Sequence, residues 1–271
     1  MPAPLDVGKL GYGGVPMSRR HESNVPGEFP PHVPLTDYYE QPADRQDYVQ
    51  DLFDKSAHHY DTVEKIFLNG GVHYRRLSLK FNGLKPGMKV LDVAVGTAAV
   101  SMGAVKIVGP EGRVVGVDPN RSMLREARKK VDIPLARGVA QALPFRSDYF
   151  DFVTMGIALR HVSDLKAAFS EYCRVLKPGG TVWILESHVP RKGIGHSLTK
   201  FLWAKAIPGL TYVATRSRDA KELMDYYWDT IDQCVEPEKV VEAMRAGGFE
   251  SARSKLVVPG MFCEYIGKKA E

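Results

Sequence analysis

The stretch that decides the fold is VLDVAVGTAAV, from Val90 to Val100. Its first half is a nearly continuous apolar run, which is typical of a strand buried on both faces of a parallel sheet. Gly96 then lets the backbone turn closely under a ligand, because no Cβ stands in the way. The residues behind the glycine have helical spacing. The stretch therefore predicts a strand, a tight loop and a helix.

The alternation of strand and helix continues after this stretch. Strand patterns occur in GRVVGVD, YFDFVTMGIAL and TVWILES, with helical patterns between them. The end, SKLVVPGMFCEYIGKK, is interpreted as two strands joined at Pro259-Gly260. Repeated strand-helix units predict an α/β fold with a doubly wound, mainly parallel sheet. The terminal hairpin would add antiparallel strands at one edge.

Two segments do not follow this rhythm. Prolines and glycines are concentrated in residues 1–46, which predicts an irregular arm that drapes over the body or is disordered. The folded domain is expected over residues 47–271, and it begins with helical patterns such as DYVQDLFDKSAHHYDTVEKIF. Within it, residues 191–232 are helical in character and rich in aromatic residues. We interpret that segment as a helical lid.

Composition limits the classes of partner. The 271 residues are 44% hydrophobic and 25% charged, as in an ordinary globular protein, and the formal net charge is +5. Basic and acidic residues are interleaved, and no nucleic-acid module is recognisable, so we expect no nucleic-acid partner. The three cysteines form no CxxC pair, and no apolar run reaches the length of a membrane span. We expect a cytoplasmic protein without a metal; membrane contact and a homodimer remain open.

The carboxyl ends of the first two strands carry the candidate binding residues. In a doubly wound sheet the ligand crevice lies outside these ends, and Asp92, Gly96 and Asp118 fall there. An acid after the second strand can accept hydrogen bonds from both hydroxyls of a ribose. The G-x-G-x-x-G and P-loop patterns are absent, which indicates a nucleoside without phosphates and disfavours nicotinamide chemistry. Alternatively, both acids are helix N-caps.

Several motifs together resemble those of one family. VLDVAVGTAAV, VVGVDPNRSML, ALPFRSDYFDFVTMGIALRHVSD and EYCRVLKPGG are similar to the successive motifs of class I S-adenosylmethionine-dependent methyltransferases. The closest resemblance is to the UbiE-type family, which C-methylates quinone precursors, and FDKSAHHYD and ILESHVP extend it. The resemblance implies a Rossmann-like, seven-stranded sheet with N-terminal helices, and S-adenosyl-L-methionine as the cofactor.

The resemblance also implies roles for individual residues. Asp92 and Gly96 would line the methionine moiety, and Asp118 would hold the ribose. The other residues implied at the cofactor are Tyr60 over the methionine, Pro119 and Met123 beside the adenine, Ala140 at its edge, and Ala94 and Met155.

Two positions depart from the family pattern. Ala98 stands where a second glycine is usual, and since alanine is small we expect it to be tolerated if its φ is negative. Val139 replaces an Asp or Asn that would accept from the adenine amino group, at a cost of about 1 kcal/mol. The change at Val139 would weaken cofactor binding without abolishing it.

The resemblance places the catalytic residues after the YFDFVTMGIAL strand. The family has Arg-Asn where this chain has Arg160 and His161, and its arginine is implicated in activating the acceptor through water. We hypothesise that Arg160 stabilises a developing phenolate or enolate. His161, titrating near neutrality, would act as the base. Alternatively, Arg160 forms an ion pair with an acid such as Asp164, and His161 is structural.

The expected function is methyl transfer to a small organic acceptor. Carbon on a quinone-like, aromatic or enolic ring is favoured over oxygen or nitrogen of a specialised metabolite. Two alternatives stay open. One is a methyltransferase-fold protein that binds the cofactor but catalyses another step, such as cyclisation, and the other is methylation of a phospholipid headgroup.

Overall fold

The computed structural model describes residues 29–41, 44–67, 71–189, 193–258 and 261–271. Seven strands form one sheet with the order β3-β2-β1-β4-β5-β7-β6. The strands are β1 (Lys89–Val93), β2 (Arg113–Asp118), β3 (Leu135–Arg137), β4 (Phe150–Gly156), β5 (Leu176–Ser187), β6 (Arg253–Val258) and β7 (Phe262–Lys268).

Helices cover the sheet and extend from both ends of it. The described α-helices are α1 (Arg45–Ser56), α2 (Tyr60–Phe67), α3 (Gly71–Phe81), α4 (Ala99–Val108), α5 (Arg121–Arg128), α6 (Leu165–Val175), α7 (Gly193–Phe201), α8 (Ile207–Thr215), α9 (Arg218–Asp232) and α10 (Pro237–Ala246). A π-helical turn over Leu202–Ala206 connects α7 to α8.

The sheet topology places a crevice beside β1. β1 pairs in parallel with β2 on one side and with β4 on the other, so the strand order reverses there. β7 is antiparallel to β5, and β6 is antiparallel to β7. The predicted doubly wound sheet with an antiparallel C-terminal hairpin is confirmed, while the joint Pro259-Gly260 lies outside the described residues.

Alternation along the strands builds a core on both faces. In β1, Leu91 and Val93 pack into one apolar cluster and Val90 into the other. All three are essentially inaccessible to solvent, which explains the continuous apolar pattern of this strand.

The strand patterns missed β3, because it has only three residues and one of them is buried. The seven strands were implied by the resemblance, not by the patterns. A second difference concerns β5, which begins at Leu176, before the TVWILES pattern that predicted it, and so includes the Pro-Gly-Gly of EYCRVLKPGG. Helix α6 does end just before it, at Val175.

The described end of the N-terminal arm packs on the body. The Pro31 carbonyl accepts a hydrogen bond from the Val235 amide at 2.8 Å, and the Phe29 carbonyl accepts one from Leu165 at 3.0 Å. Tyr38 donates to Asp229 in α9, and Tyr39 is buried. Residues 1–28 lie outside the described residues.

The lid is helical, as the sequence predicted. α9 forms its inner layer, and its apolar side packs in one cluster with residues of α1, α2 and the π-helical turn. The cluster includes the aromatic side chains Trp203, Tyr226, Tyr227 and Trp228. The lid aromatics therefore pack the lid against the N-terminal helices.

Candidate active site

A pocket opens at the carboxyl ends of β1, β2 and β4. It contains about 1140 Å³ of empty space, including the open solvent at its mouth. All nine residues that the sequence implied at the cofactor line it, namely Tyr60, Asp92, Ala94, Gly96, Asp118, Pro119, Met123, Ala140 and Met155. Residues from five different parts of the chain therefore meet at the place where a nucleoside would bind.

The loop after β1 is tighter than one glycine suggests. Ala94, Gly96 and Ala98 have φ values of 54°, 53° and 70°, all in the left-handed region. Ala98 does not meet the condition of a negative φ on which its tolerance depends, and its amide closes a turn by donating to the Val95 carbonyl at 2.8 Å. A left-handed alanine costs about 1–2 kcal/mol. Burial of its methyl group beside Val95 and Leu124 offsets part of that cost.

Asp118, at the end of β2, is hydrogen-bonded to the loop that follows β1. Its Oδ2 accepts a hydrogen bond from the Gly96 amide at 2.9 Å, and its Oδ1 accepts one from the Asn120 amide at 2.8 Å. Asp118 is not a helix N-cap, because Asn120 holds that position and accepts from the Met123 amide. Each carboxylate oxygen still has a lone pair for a ligand hydroxyl. Burial raises the pKa of Asp118 to about 6, although the two amide bonds lower it.

Asp92 presents an unused acceptor inside the pocket. Its Oδ2 accepts from the Ser101 hydroxyl at 2.6 Å, whereas its buried Oδ1 has no hydrogen-bond partner among the described residues. Burial raises the pKa of Asp92 to about 7, and nearby Arg75 acts in the opposite direction. Asp92 is not a helix N-cap either, since Ala98 precedes α4. A buried carboxylate oxygen without a donor suits a cationic ligand group.

The side of the pocket beyond β2 is mostly apolar. Pro119 and Met123 line it, together with Val139 and Ala140 from the loop after β3. The Val139 carbonyl accepts from the Ala142 amide at 3.1 Å, so Ala140 lies in a tight turn that lines the pocket. This side offers a flat apolar slot in which a purine ring would fit.

Aromatic rings form the opposite side. Phe53, Tyr60, His161 and Tyr227 all line the pocket. The hydroxyls of Tyr60 and Tyr227 are 3.0 Å apart, and Phe53 meets His161 edge to face with ring centroids 5.3 Å apart. Sequence reasoning did not assign Phe53 or Tyr227 to the site. The available signals were the FDKSAHHYD motif that contains Phe53 and the aromatic residues of the lid.

Arg160 lies behind this aromatic wall and does not line the pocket. Its Nη1 donates to Glu186 Oε1 at 2.6 Å, and both side chains are 1% exposed. Its Nε donates to the Thr230 hydroxyl at 3.1 Å, and its guanidinium lies 4.5 Å from the centre of the Tyr227 ring. The alternative of an ion pair with a nearby acid is therefore confirmed, but the acid is Glu186 and not Asp164, which caps α6 by accepting from the Ala167 amide.

His161 faces the pocket as a neutral ring. Burial, followed by the charges of Arg160, Arg45 and His32, holds the pKa of His161 well below its usual value of 6.5. The expectation that His161 titrates near neutrality is therefore wrong. Both ring nitrogens are shielded from solvent and lack a hydrogen-bond partner among the described residues. The ring stacks on Tyr226 with centroids 5.8 Å apart.

This fold and this pocket define a class of enzyme. A seven-stranded sheet with an antiparallel β7, an acid after β2 and a close loop after β1 is the architecture of class I S-adenosylmethionine-dependent methyltransferases. The model of the ubiE/COQ5 methyltransferase family matches residues 41–269. The chain belongs to this family and is an S-adenosylmethionine-dependent methyltransferase, as the sequence motifs implied.

Individual relatives agree with the family. The chain is 32% identical over 255 residues to the demethylmenaquinone methyltransferase of Symbiobacterium thermophilum, a match that covers 90% of this chain and 98% of the relative. It is 30% identical over 234 residues to the ubiquinone/menaquinone biosynthesis C-methyltransferase UbiE of Shewanella halifaxensis, covering 83% of this chain and 92% of the relative.

A solved structure extends the likeness of the fold. The [4+2]-cyclase SpnF superposes with a TM-score of 0.62 at 15% identity, covering 83% of this chain and 97% of that chain. At this level of identity the likeness shows the fold alone.

Proposed function

We propose that this enzyme transfers a methyl group to a ring carbon of a quinone precursor in its reduced, phenolic form. The observation that carries the proposal is that two groups of residues with different chemistry line the same pocket, as two walls. One wall is the Asp92, Gly96 and Asp118 edge, which suits a cationic nucleoside, and the other is the aromatic wall of Phe53, His161 and Tyr227. The names of the two relatives support a quinone acceptor.

The residues of the first wall fit S-adenosyl-L-methionine. Asp118 accepts from the two ribose hydroxyls through its remaining lone pairs. The unpartnered Oδ1 of Asp92 accepts from the ammonium group of the methionine moiety. Pro119 and Met123 enclose the adenine, and the backbone of Ala140 meets its edge. When bound, the cofactor supplies a methyl group activated by a sulfonium.

The second wall orients the acceptor. A planar ring between Phe53 and Tyr227 is held by apolar contact, so one ring carbon stays directed at the methyl group. The neutral His161 forms a hydrogen bond to the phenolic oxygen, because its ring nitrogens have no other partner. Arg160 acts as a positioning residue, since it holds both Tyr227 and the turn that carries His161.

Carbon methylation has a simple balance. Transfer would form a bond from the ring carbon to the methyl carbon and break the bond from methyl to sulfur, and the ring proton would then pass to water. Ionisation of the phenolic oxygen makes that carbon more nucleophilic, so a hydrogen-bond donor at that oxygen would favour the reactive form.

The test is a transfer assay with the purified chain. It would use methyl-labelled S-adenosylmethionine and a demethylmenaquinone reduced to its quinol, with product analysis by mass spectrometry and NMR. We expect one label on a ring carbon and at least about a hundredfold loss of kcat/KM in Asp118→Ala. The exposed acid Asp132 provides the matched control, and Asp132→Ala keeps its rate. Label on oxygen, or no label with cofactor bound, would overturn the proposal.

A further inference from the structure

The outer side of the lid exposes large apolar side chains. From Gly193 to Thr215 the chain runs through α7, the π-helical turn and α8 without leaving helical geometry. Five large apolar or aromatic residues of this run are solvent-exposed, namely Phe201 (63%), Leu202 (43%), Leu210 (55%), Tyr212 (44%) and Val213 (72%). We call these five residues the lid face. Several large exposed apolar side chains in one helical run are typical of an interaction site.

The spacing gives the lid two sides. Leu202, Ala206, Leu210 and Val213 follow one another at steps of four, four and three residues, and all are exposed. On the inner side Trp203, Pro208 and Thr211 are buried. The helical run therefore has large apolar side chains on two sides. One side packs into the protein, and the other faces solvent.

The Lys, Arg, Asp and Glu residues within residues 193–218 all have one sign of charge. Lys200, Lys205, Arg216 and Arg218 are exposed, and residues 193–218 contain no Asp or Glu. Four cations next to exposed Phe, Leu, Val and Tyr are the composition of a helix that lies in a membrane interface, where cations meet anionic headgroups. A protein partner would need a long acidic surface, whereas an anionic bilayer supplies this charge over any area.

Two helices, α2 and α9, connect the lid face to the pocket. α8 packs against α2, which begins with the pocket residue Tyr60, and against α9, which carries the pocket residue Tyr227. A surface bound at the lid face would thus be one helix layer away from the aromatic wall. In the part of the chain that the structure describes, no helix is long and apolar enough to span a bilayer.

We propose that the lid face docks on a lipid bilayer containing anionic headgroups, with its apolar side chains in the interface and its cations on the lipid phosphates. The docking rests on the lid alone. As a consequence, the enzyme would take its acceptor directly from the bilayer, because a quinone with an isoprenoid tail partitions into lipid. This consequence rests on the proposed function.

Sedimentation with extruded vesicles tests the docking. The full chain would be mixed with phosphatidylcholine vesicles, with or without about one-third phosphatidylglycerol, at low and high salt. We expect at least about tenfold stronger binding to the anionic vesicles, and a loss of most of that binding at about 0.5 M salt. Leu210→Glu/Val213→Glu and Lys200→Glu/Lys205→Glu should each weaken binding at least about tenfold.

A control pair separates the lid face from net charge. Arg125→Glu/Arg128→Glu on α5 changes the net charge as much as the lysine pair does, and both arginines are exposed. This pair should bind within about twofold of the unchanged chain. Unchanged affinity for S-adenosylmethionine in every variant would show that each one is folded.

Three results would overturn the docking. The first is equal binding to neutral and anionic vesicles, and the second is lid variants that bind as tightly as the control pair. The third is a dimer in sedimentation velocity that Leu210→Glu/Val213→Glu converts to a monomer, which would make the lid face a contact between copies of this chain. Transfer to a short-tailed quinol without vesicles tests the proposed function separately, because the lid variants should retain it.

Discussion

Arg160 and Glu186 form an ion pair in which both side chains are 1% exposed, and their closest atoms, Nη1 and Oε1, are 2.6 Å apart. Glu186 Oε1 also accepts from the Ser187 amide at 2.7 Å, and Oε2 accepts from the Arg160 amide at 3.2 Å. The pair therefore ties the end of β5 to the turn that carries His161. Removing one member of such a buried pair lowers the stability of the protein most, because the other charge then stays buried without a counterion.

Replacing Glu186 alone should destabilise the protein strongly. Glu186→Leu leaves the Arg160 charge buried without a counterion, and we expect a loss of about 3–5 kcal/mol in the free energy of unfolding, measured with urea. The double variant Arg160→Met/Glu186→Leu should recover most of this loss, because two apolar side chains then fill the space. If Arg160 positions Tyr227 and His161, the double variant will still turn over slowly. Full activity in that variant would contradict a positioning role.

The Asp92 carboxyl should make stability fall as pH rises. Its pKa is about 7 in the folded state against 3.8 as the reference value, so folding takes up a proton between these values. Stability is therefore highest below about pH 4 for this group and is lost as pH rises through 7. Asp92→Asn removes the effect, and its melting temperature without cofactor should exceed that of the unchanged chain at pH 8. The advantage should shrink toward pH 5, and calorimetry across this range checks it.

The same substitution should damage function. Asp92→Asn can no longer offer a negative charge to the cofactor, so we expect at least about tenfold weaker binding of S-adenosylmethionine by calorimetry at pH 8. The exposed Asp132→Asn is the control for removing one charge. A variant that lost stability at pH 8 and kept its affinity would contradict both expectations.

The left-handed alanine after β1 provides a stabilising substitution. Ala98→Gly removes the strain of φ 70°, at the expense of a buried methyl group and of chain entropy. We expect a net gain of up to about 1 kcal/mol in the free energy of unfolding, measured with urea. Ala167→Gly in α6 has no such strain to relieve and should lose about 0.5–1 kcal/mol. Equal losses in both variants would show that packing outweighs backbone strain at Ala98.

The pH dependence of turnover distinguishes the carboxylates from His161. Because the pKa values of Asp118 and Asp92 are about 6 and about 7, kcat/KM for the cofactor should increase from pH 5 to pH 8 as both groups ionise. His161 stays neutral over this range, so His161→Asn should shift the profile downward without changing its shape. Loss of a limb near pH 6.5 in that variant would identify His161 as a titrating base.

Local patterns were sufficient for most of the fold and for the cofactor side of the pocket. Strand burial, turn chemistry and helix spacing depend on residues close in sequence, so VLDVAVGTAAV and VVGVDPNRSML were enough to place Gly96 and Asp118 at the ends of adjacent strands. The short β3 was missed, because three residues carry too little pattern for a strand to be recognised.

The sequence by itself determined the order of strands and helices, the family, and the group of side chains that face a nucleoside. Only the tertiary structure decided that Arg160 pairs with Glu186, that Ala98 is left-handed, that His161 is neutral, and that Phe53 and Tyr227 form one wall. The physical reason is that these properties arise from burial and from contacts between distant segments. A pKa or a buried partner depends on what surrounds a side chain in space, and the neighbouring letters of the sequence do not contain that information.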